Sequence, residues 1–379
     1  MSALQLFALA LLAGPPRAEV AHTVVLVVID GLRPAEVFTG AEQALLGPVG
    51  GVENEEGLKA RYWRESPEAR REALMPFLWG TVVPAGQLFG ASSLASPARV
   101  ENGARVSYPG YNELLTGVAD PRITSNEYPA NPNVTVFEWL AAQQGFAGQV
   151  QAFATWDTFI RIFNVERSGL DVRAGWNPPF EAEVDRSPAK DTLDQLFRTT
   201  TPMFGGNALD ALTYAALKES LKTRHPRALF LGLGETDEWM HAGRYDVALE
   251  VTHRADALIA DLWNTLQAMP EYRGTTTFII TTDHGRGHGP VAWRDHGAEI
   301  DGAEEVWLAA LGPGVPPLGV RSSTGLVTQA QVAATLASLL GLDWKAQNPG
   351  AGLPLPLAPD LSRQLARGTV ATWSSPPAR

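Results

Sequence analysis

Four short apolar runs constrain this chain more than any other feature, because three of them stop at an acidic side chain or lead straight into one. The runs are Thr23–Ile29, Ala228–Leu233, Thr276–Thr282 and Glu305–Leu311. None alternates polar with apolar residues, which is the pattern of parallel strands buried on both faces. The first ends at Asp30-Gly31. The second runs into Gly234-Glu235-Thr236-Asp237-Glu238-Trp239-Met240-His241. The third ends at Asp283-His284 and a glycine-rich turn, Gly285-Arg286-Gly287-His288-Gly289. Five of the seven histidines lie between His241 and His296, so the imidazoles gather around these strand ends.

Between the apolar runs the sequence predicts helices. Ser107 to Gly117 has proline early, Glu113 after it and a glycine stop. Asn133–Gly145, Asn207–Arg224, Tyr245–Met269 and Gln329–Leu340 carry helical spacing. Gly148–Thr155 reads as a strand, Pro76–Leu88 as a short helix followed by a strand, and residues 42–72 as weakly helical. Alternating strands and helices predict an α/β fold, a three-layer α/β/α sandwich around a mostly parallel central sheet. Trp156–Pro202, with Pro178-Pro179 and several tryptophans, reads as a loop-rich insertion that shapes substrate access.

No repeat or linker divides residues 22–345, which are expected to form one catalytic domain followed by a Pro-rich tail over 346–379. At the other end, Leu4–Ala13 is apolar and closes at Gly14-Pro15-Pro16. That is too short to span a bilayer and has the length of a signal-peptide core. Residues 1–21 are therefore expected to be a signal peptide, the protein periplasmic or secreted, and no integral membrane segment is expected after its removal.

Composition narrows the chemistry. A net charge of −11 argues against nucleic acid or an anionic membrane as the main partner. It leaves a small phosphate ester open as substrate, since bound dications reverse the sign locally. With no cysteine, disulfides, thiolate catalysis and cysteine zinc sites are all excluded, and any metal must sit on His, Asp or Glu.

If the strands are neighbours, Asp30, Asp237, His241, Asp283 and His284 converge at one sheet edge, where open α/β sheets bind ligands. His296 lies in the loop Trp293-Arg294-Asp295-His296-Gly297. This mixture of oxygen and imidazole donors suits zinc, or alternatively manganese, rather than calcium. Six such ligands and one serine hydroxyl are enough for two four-coordinate ions. Ser107 sits at or just before a helix start, either as an N-cap or where free N–H groups and the helix dipole favour an anion.

The chain resembles the alkaline phosphatase superfamily over roughly Val24 to Gly314. The resemblance rests on Val-Ile-Asp30-Gly, Gly-Glu-Thr-Asp237-Glu-Trp-Met-His241, Thr-Thr-Asp283-His284-Gly and Asp295-His296-Gly. It implies one metal held by Asp237, His241 and His296 and a second held by Asp30, Asp283 and His284. It also implies Ser107 as nucleophile bridging to the second metal, because Ser-Tyr-Pro-Gly…Leu-Thr-Gly is similar to Thr-Phe-Pro-Asn…Val-Thr-Gly of the phosphodiesterase branch. Asn126 is similar in spacing to the asparagine that holds a phosphate oxygen there, and Gly110 departs from the branch's asparagine. The activity implied is two-metal hydrolysis of phosphoric esters through a phosphoserine. A phosphomutase using the same site, or a non-catalytic metal-binding protein, are the alternatives.

Arg286 is close enough in sequence to meet an anionic substrate, with a surface arginine as the other reading. His288 is expected to be a loop histidine and His253 a structural or surface one. Ser96-Pro97-Ala98-Arg99 falls short of the sulfatase signature, since Ala95 stands where Cys or Ser is needed.

Overall fold

Val24, Leu26 and Val28 pack into one hydrophobic core, Val25, Val27 and Ile29 into another, and all six are fully buried. That alternation makes the first apolar run the central strand of a sheet covered on both faces. The computed structural model describes residues 21–357. Its strands are β1 (Thr23–Ile29), β2 (Gln87–Phe89), β3 (Ala98–Arg99), β4 (Val150–Ala154), β5 (Asp171–Ala174), β6 (Ala228–Leu233), β7 (Thr276–Thr281), β8 (Leu308–Leu311), β9 (Gly319–Val320) and β10 (Val327–Thr328). Eight of them form one sheet in the order β5-β4-β6-β1-β7-β8-β2-β9, and β3 pairs separately with β10.

The five strands from β5 to β7 are parallel, so β6, β1 and β7 end side by side. Ile29 pairs with Leu233 and Val28 with Thr281, which sets the carboxylates that follow at one height. One face of the sheet is covered by the helices Ser107–Thr116, Val136–Ala141 and Val332–Leu339. The other carries Tyr245–Ala268, Asp210–Leu221, Glu55–Tyr62 and Pro67–Leu74. The protein is thus the α/β/α sandwich with a mostly parallel sheet that the alternation predicts. Each fully buried Val, Leu or Ile contributes about 1.5–3 kcal/mol, and β1 alone supplies six. That reserve offsets the several kcal/mol that each buried charge costs at the strand ends.

Several boundaries differ from the sequence reading. Of Glu305–Leu311 only Leu308–Leu311 is strand, since Glu304 and Val306 pair instead with Val100 and Ala98, and it runs antiparallel to β7. The reversal matters, since β8 begins at the edge where β7 ends and delivers the preceding loop, with His296, to that edge. Trp156–Pro202 is more ordered than expected. It holds the edge strand β5 and the helix Pro188–Thr199, started by Pro188 with the Ser187 hydroxyl accepting from Lys190 N–H. Asn133–Gly145 contributes only Val136–Ala141, capped by Thr135.

Apart from Ala21, the expected leader lies outside the described residues, as does the tail beyond 357. Residues 346–357 pack onto the domain: Leu355 and Leu357 are buried, Leu355 N–H donates to Thr335 Oγ1 at 2.8 Å, and Gln87 Nε2 donates to Leu357 O at 2.6 Å. Among the described residues no helix is long and apolar enough to cross a membrane.

The helix Ser107–Thr116 lies very close to the end of β7. A Cβ on Gly110 would stand 2.4 Å from the Asp283 carbonyl oxygen. Gln329 Nε2 donates to the carbonyls of both Gly110 (2.6 Å) and Asp283 (3.0 Å). A side chain at 110 must therefore push this helix off the strand end. Gly110→Ala is expected to lower stability by about 1–3 kcal/mol, read as a drop in the denaturation midpoint. An unchanged midpoint would show that the close approach is dispensable.

Candidate metal centre

Asp30 continues the inward alternation of β1 and faces the helix Ser107–Thr116. Tyr111, one turn after Ser107, donates its hydroxyl to Asp30 Oδ2 at 2.9 Å, while Oδ1 is buried without a partner. The next residue, Gly31, has φ +61°, and a Cβ there would lie 2.5 Å from Asp237 Oδ1. Its N–H donates to Asp283 Oδ1 at 3.1 Å, and Asp283 Oδ2 is also buried without a partner. Asp-Gly at the end of β1 is therefore more than a turn, because glycine leaves room for the Asp237 carboxylate and its Arg286 partner.

The segment after β6 folds into the helix Glu235–His241, started by the Asp210 carboxylate, which accepts from the N–H groups of Gly234 and Glu235. One helical turn separates Asp237 from His241 and puts both on one face. His241 Nε2 stands 3.3 Å from Asp237 Oδ2 and 2.9 Å from His296 Nε2. His284 and His296 stack with ring centroids 3.8 Å apart. His284 Nδ1 faces Gly285 O at 2.9 Å and His296 Nδ1 faces Arg105 O at 3.0 Å. A carbonyl can only accept, so each ring carries its proton on Nδ1 and presents a bare Nε2, as metal-ligating histidines do.

These atoms form two donor groups. Asp30, Asp283 and His284 offer atoms all within 4.8 Å of one another, as do Asp237, His284 and His296. His284 Nε2 lies 3.5 Å from both Asp30 Oδ1 and Asp283 Oδ2 and 3.3 Å from Ser107 Oγ. Zinc with bonds of about 2.0–2.1 Å in a tetrahedron has ligand-to-ligand edges of about 3.3–3.4 Å. The spacing fits, and the two orphaned carboxylate oxygens are the atoms a cation would satisfy.

The electrostatics point the same way. Burial, then the charges of Asp283 and Asp237, push the Asp30 carboxyl well above the usual carboxylate range. Burial and Asp237 push Asp283 up to about 8. Burial acts to raise Asp237, but the Arg286 guanidinium together with His241 and His296 outweighs it, and that carboxyl is held well below its ordinary value. Burial and the neighbouring His296 keep the His284 imidazole neutral, and burial does the same for His296. Three carboxylates with neutral imidazoles are a poor arrangement for an empty core and a good one for dications.

Ser107 is the first residue of its helix. Val106 occupies the capping position, and the Ser107 hydroxyl caps nothing. Tyr108 N–H donates to Asn126 Oδ1 at 2.9 Å, Pro109 has no N–H, and Gly110 N–H donates to Val106 O. The helix start therefore has few donors left for an anion, contrary to the sequence reading, and the hydroxyl itself is what faces the donor group. That bond to Tyr108 sets Asn126 beside Ser107.

For Arg286 the surface reading is overturned. It is neither on the surface nor facing open space: it is 1% exposed and its NH2 group donates to Asp237 Oδ1 and, at 3.0 Å, to Asp237 O. His288 is half exposed and lies 3.5 Å from Glu305, and His253 Nδ1 faces Leu74 O at 2.8 Å, both outside the two groups. The Ser96 hydroxyl is 2.8 Å from Thr324 Oγ1. Tyr111 was missed by sequence reasoning, although its spacing of four from Ser107 on a helix put it on the same face.

No protein-family model and no curated protein matches the chain. Solved structures do. A protein in the alkaline phosphatase superfamily from Vibrio parahaemolyticus is 14% identical, with 90% of this chain and 73% of that chain covered and a TM-score of 0.52. The lipoteichoic acid synthase LtaP from Listeria monocytogenes is 10% identical, with 86% and 73% covered and a TM-score of 0.54. A 2-O GAG sulfatase is 12% identical, with 88% and 73% covered and a TM-score of 0.54. The fold is that of the alkaline phosphatase superfamily.

Without metal, the raised Asp283 carboxyl makes folding pH-dependent. The stability it contributes when protonated is present below the ordinary carboxylate range and is lost as pH rises towards about 8. In a chelator, wild type is expected to lose stability from pH 5 to 8, and Asp283→Asn to lose less, by chemical denaturation. Equal slopes would contradict this account of the crowding.

Proposed function

We propose that this protein hydrolyses phosphoric esters through a phosphoserine on Ser107, in a centre holding two divalent cations, zinc or manganese. One observation carries the reading. Ser107 Oγ lies 3.3 Å from His284 Nε2, the nitrogen that also stands 3.5 Å from each of the two partnerless carboxylate oxygens. A hydroxyl in that company is a fourth donor of the group.

When bound, the cations would lower the pKa of the serine hydroxyl and offset charge on the ester oxygens. Ser107 Oγ attacks phosphorus, forming an O–P bond as the bond to the leaving alcohol breaks. Water then cleaves the phosphoserine, returning the hydroxyl and releasing phosphate or a monoester. Tyr111 holds Asp30 by one oxygen so that the other stays turned to the site. Asn126 spends its Oδ1 on Tyr108 N–H, which leaves Nδ2 as a donor for a phosphate oxygen. Asp237 and His296, sharing His284 with the first group and with His241 Nε2 2.9 Å from His296 Nε2, would hold the other cation.

The neighbours in fold include a lipoteichoic acid synthase and a sulfatase, so the fold alone does not choose the ester. The absence of cysteine and the serine among metal-type donors favour phosphoryl transfer to serine. Turnover of p-nitrophenyl phosphate and bis-p-nitrophenyl phosphate, with and without added Zn²⁺ or Mn²⁺, is the direct test. At least one is expected to be hydrolysed in a metal-dependent way, and Ser107→Ala to lose activity by at least about 10³-fold. Wild-type rates in Ser107→Ala would remove the phosphoserine. Bound metal with no turnover of either ester would favour the mutase or the non-catalytic alternative.

A further inference from the structure

We propose that Arg286 is a positioning residue for one of the two metals: it fastens together the chain segments that carry Asp237 and His296 and fixes how Asp237 presents its carboxylate. The proposal rests on reading the site as a metal centre and goes beyond the ligand set itself.

Arg286 lies two residues after His284 with its side chain fully shielded from solvent. Its NH2 group takes both the carboxylate Oδ1 and the carbonyl oxygen of Asp237, and its NH1 group donates to the carbonyl oxygen of Arg294, two residues before His296. One guanidinium thus joins the helix that follows β6, the loop that follows β7 and the loop that precedes β8. All three residues of the group Asp237, His284 and His296 are tied through it. Asp237 is left with Oδ1 on the arginine and Oδ2 towards His241, 3.3 Å away. Oδ1 also stands 3.8 Å from both His284 Nε2 and His296 Nε2, so the arginine fixes which oxygen is turned to each imidazole.

The arginine is itself held. Gly287 N–H donates to Asp295 O at 3.0 Å, and Arg33 NH1 donates to Gly287 O at 3.3 Å. Arg33 is in turn paired with Glu36, which accepts from the Tyr245 hydroxyl. Gly31 gives the guanidinium its space, since a Cβ there would lie 3.0 Å from Arg286 Nε. A planar fork with several donors can make these contacts at once. A lysine ammonium keeps the charge but cannot span the same three acceptors.

The experiment is Zn²⁺ titration of the full chain, competed against a chelating indicator, for wild type, Arg286→Gln, Arg286→Lys and, as reference, Asp237→Asn. Partners that orient metal ligands typically contribute 10- to 100-fold in affinity. Arg286→Gln is expected to bind one ion as tightly as wild type and the other about 10- to 100-fold more weakly, the pattern of Asp237→Asn. Arg286→Lys is expected to weaken the same ion, and it carries the test alone if the glutamine variant does not fold. Two ions bound with wild-type affinity in either variant would overturn the proposal. So would equal weakening of both ions, which marks a general loss of packing. A wild type that binds no ion overturns the metal reading itself, and with it this inference.

Discussion

Three carboxylates, Asp30, Asp237 and Asp283, meet at the ends of adjacent buried strands, and everything else in the site answers to that crowding. Water is excluded, so each charge raises the cost of its neighbours. The protein meets the cost unevenly. Asp237 is given the buried Arg286, Asp30 is given the hydroxyl of Tyr111, and Asp283 is given the N–H of Gly31. Two oxygens, Asp30 Oδ1 and Asp283 Oδ2, are given nothing. Buried polar atoms without partners are rare in folded proteins, and these two face the same imidazole nitrogen as Ser107 Oγ. Dications at this edge would resolve the repulsion and fill the open valences beside the serine proposed as nucleophile.

The fold makes the arrangement rigid. β6, β1 and β7 are neighbours in register, so the separation of their terminal side chains is set by strand spacing and not by loops. The reversed direction of β8 brings His296 to the same edge from a strand start. Ser107 comes from outside the sheet, on a helix pressed so closely onto the end of β7 that only glycine fits at 110. Sites built on strands and helices hold geometry better than sites built on loops, and most of these donors sit on or directly after such elements.

Much of this was legible in the sequence, for identifiable reasons. Continuous apolar runs announce buried parallel strands, and the polar residue that ends each run must lie at the sheet edge. Asp30, Asp283 and His284 follow from that alone. The helix carrying Ser107 was marked by Pro109 and Gly117. What was hidden depends on contacts between distant segments. Nothing in Gly-Arg-Gly says that Arg286 is buried against Asp237, because the partner is 49 residues away and the glycine that makes room, Gly31, is farther still. The reversal of β8 follows a segment paired with residues 98–100, a distant contact that no local pattern encodes. Within 156–202, proline and tryptophan masked a good helix start at Ser187-Pro188.

The central claim is that this strand edge binds two ions, one of them beside Ser107. Anomalous X-ray diffraction from crystals of the full chain grown with Zn²⁺ tests it directly. The account predicts two peaks, one within bonding distance of Asp30, Asp283, His284 and Ser107 and one within bonding distance of Asp237, His241 and His296. A site without anomalous density, its carboxylates satisfied by protons or water, would contradict it.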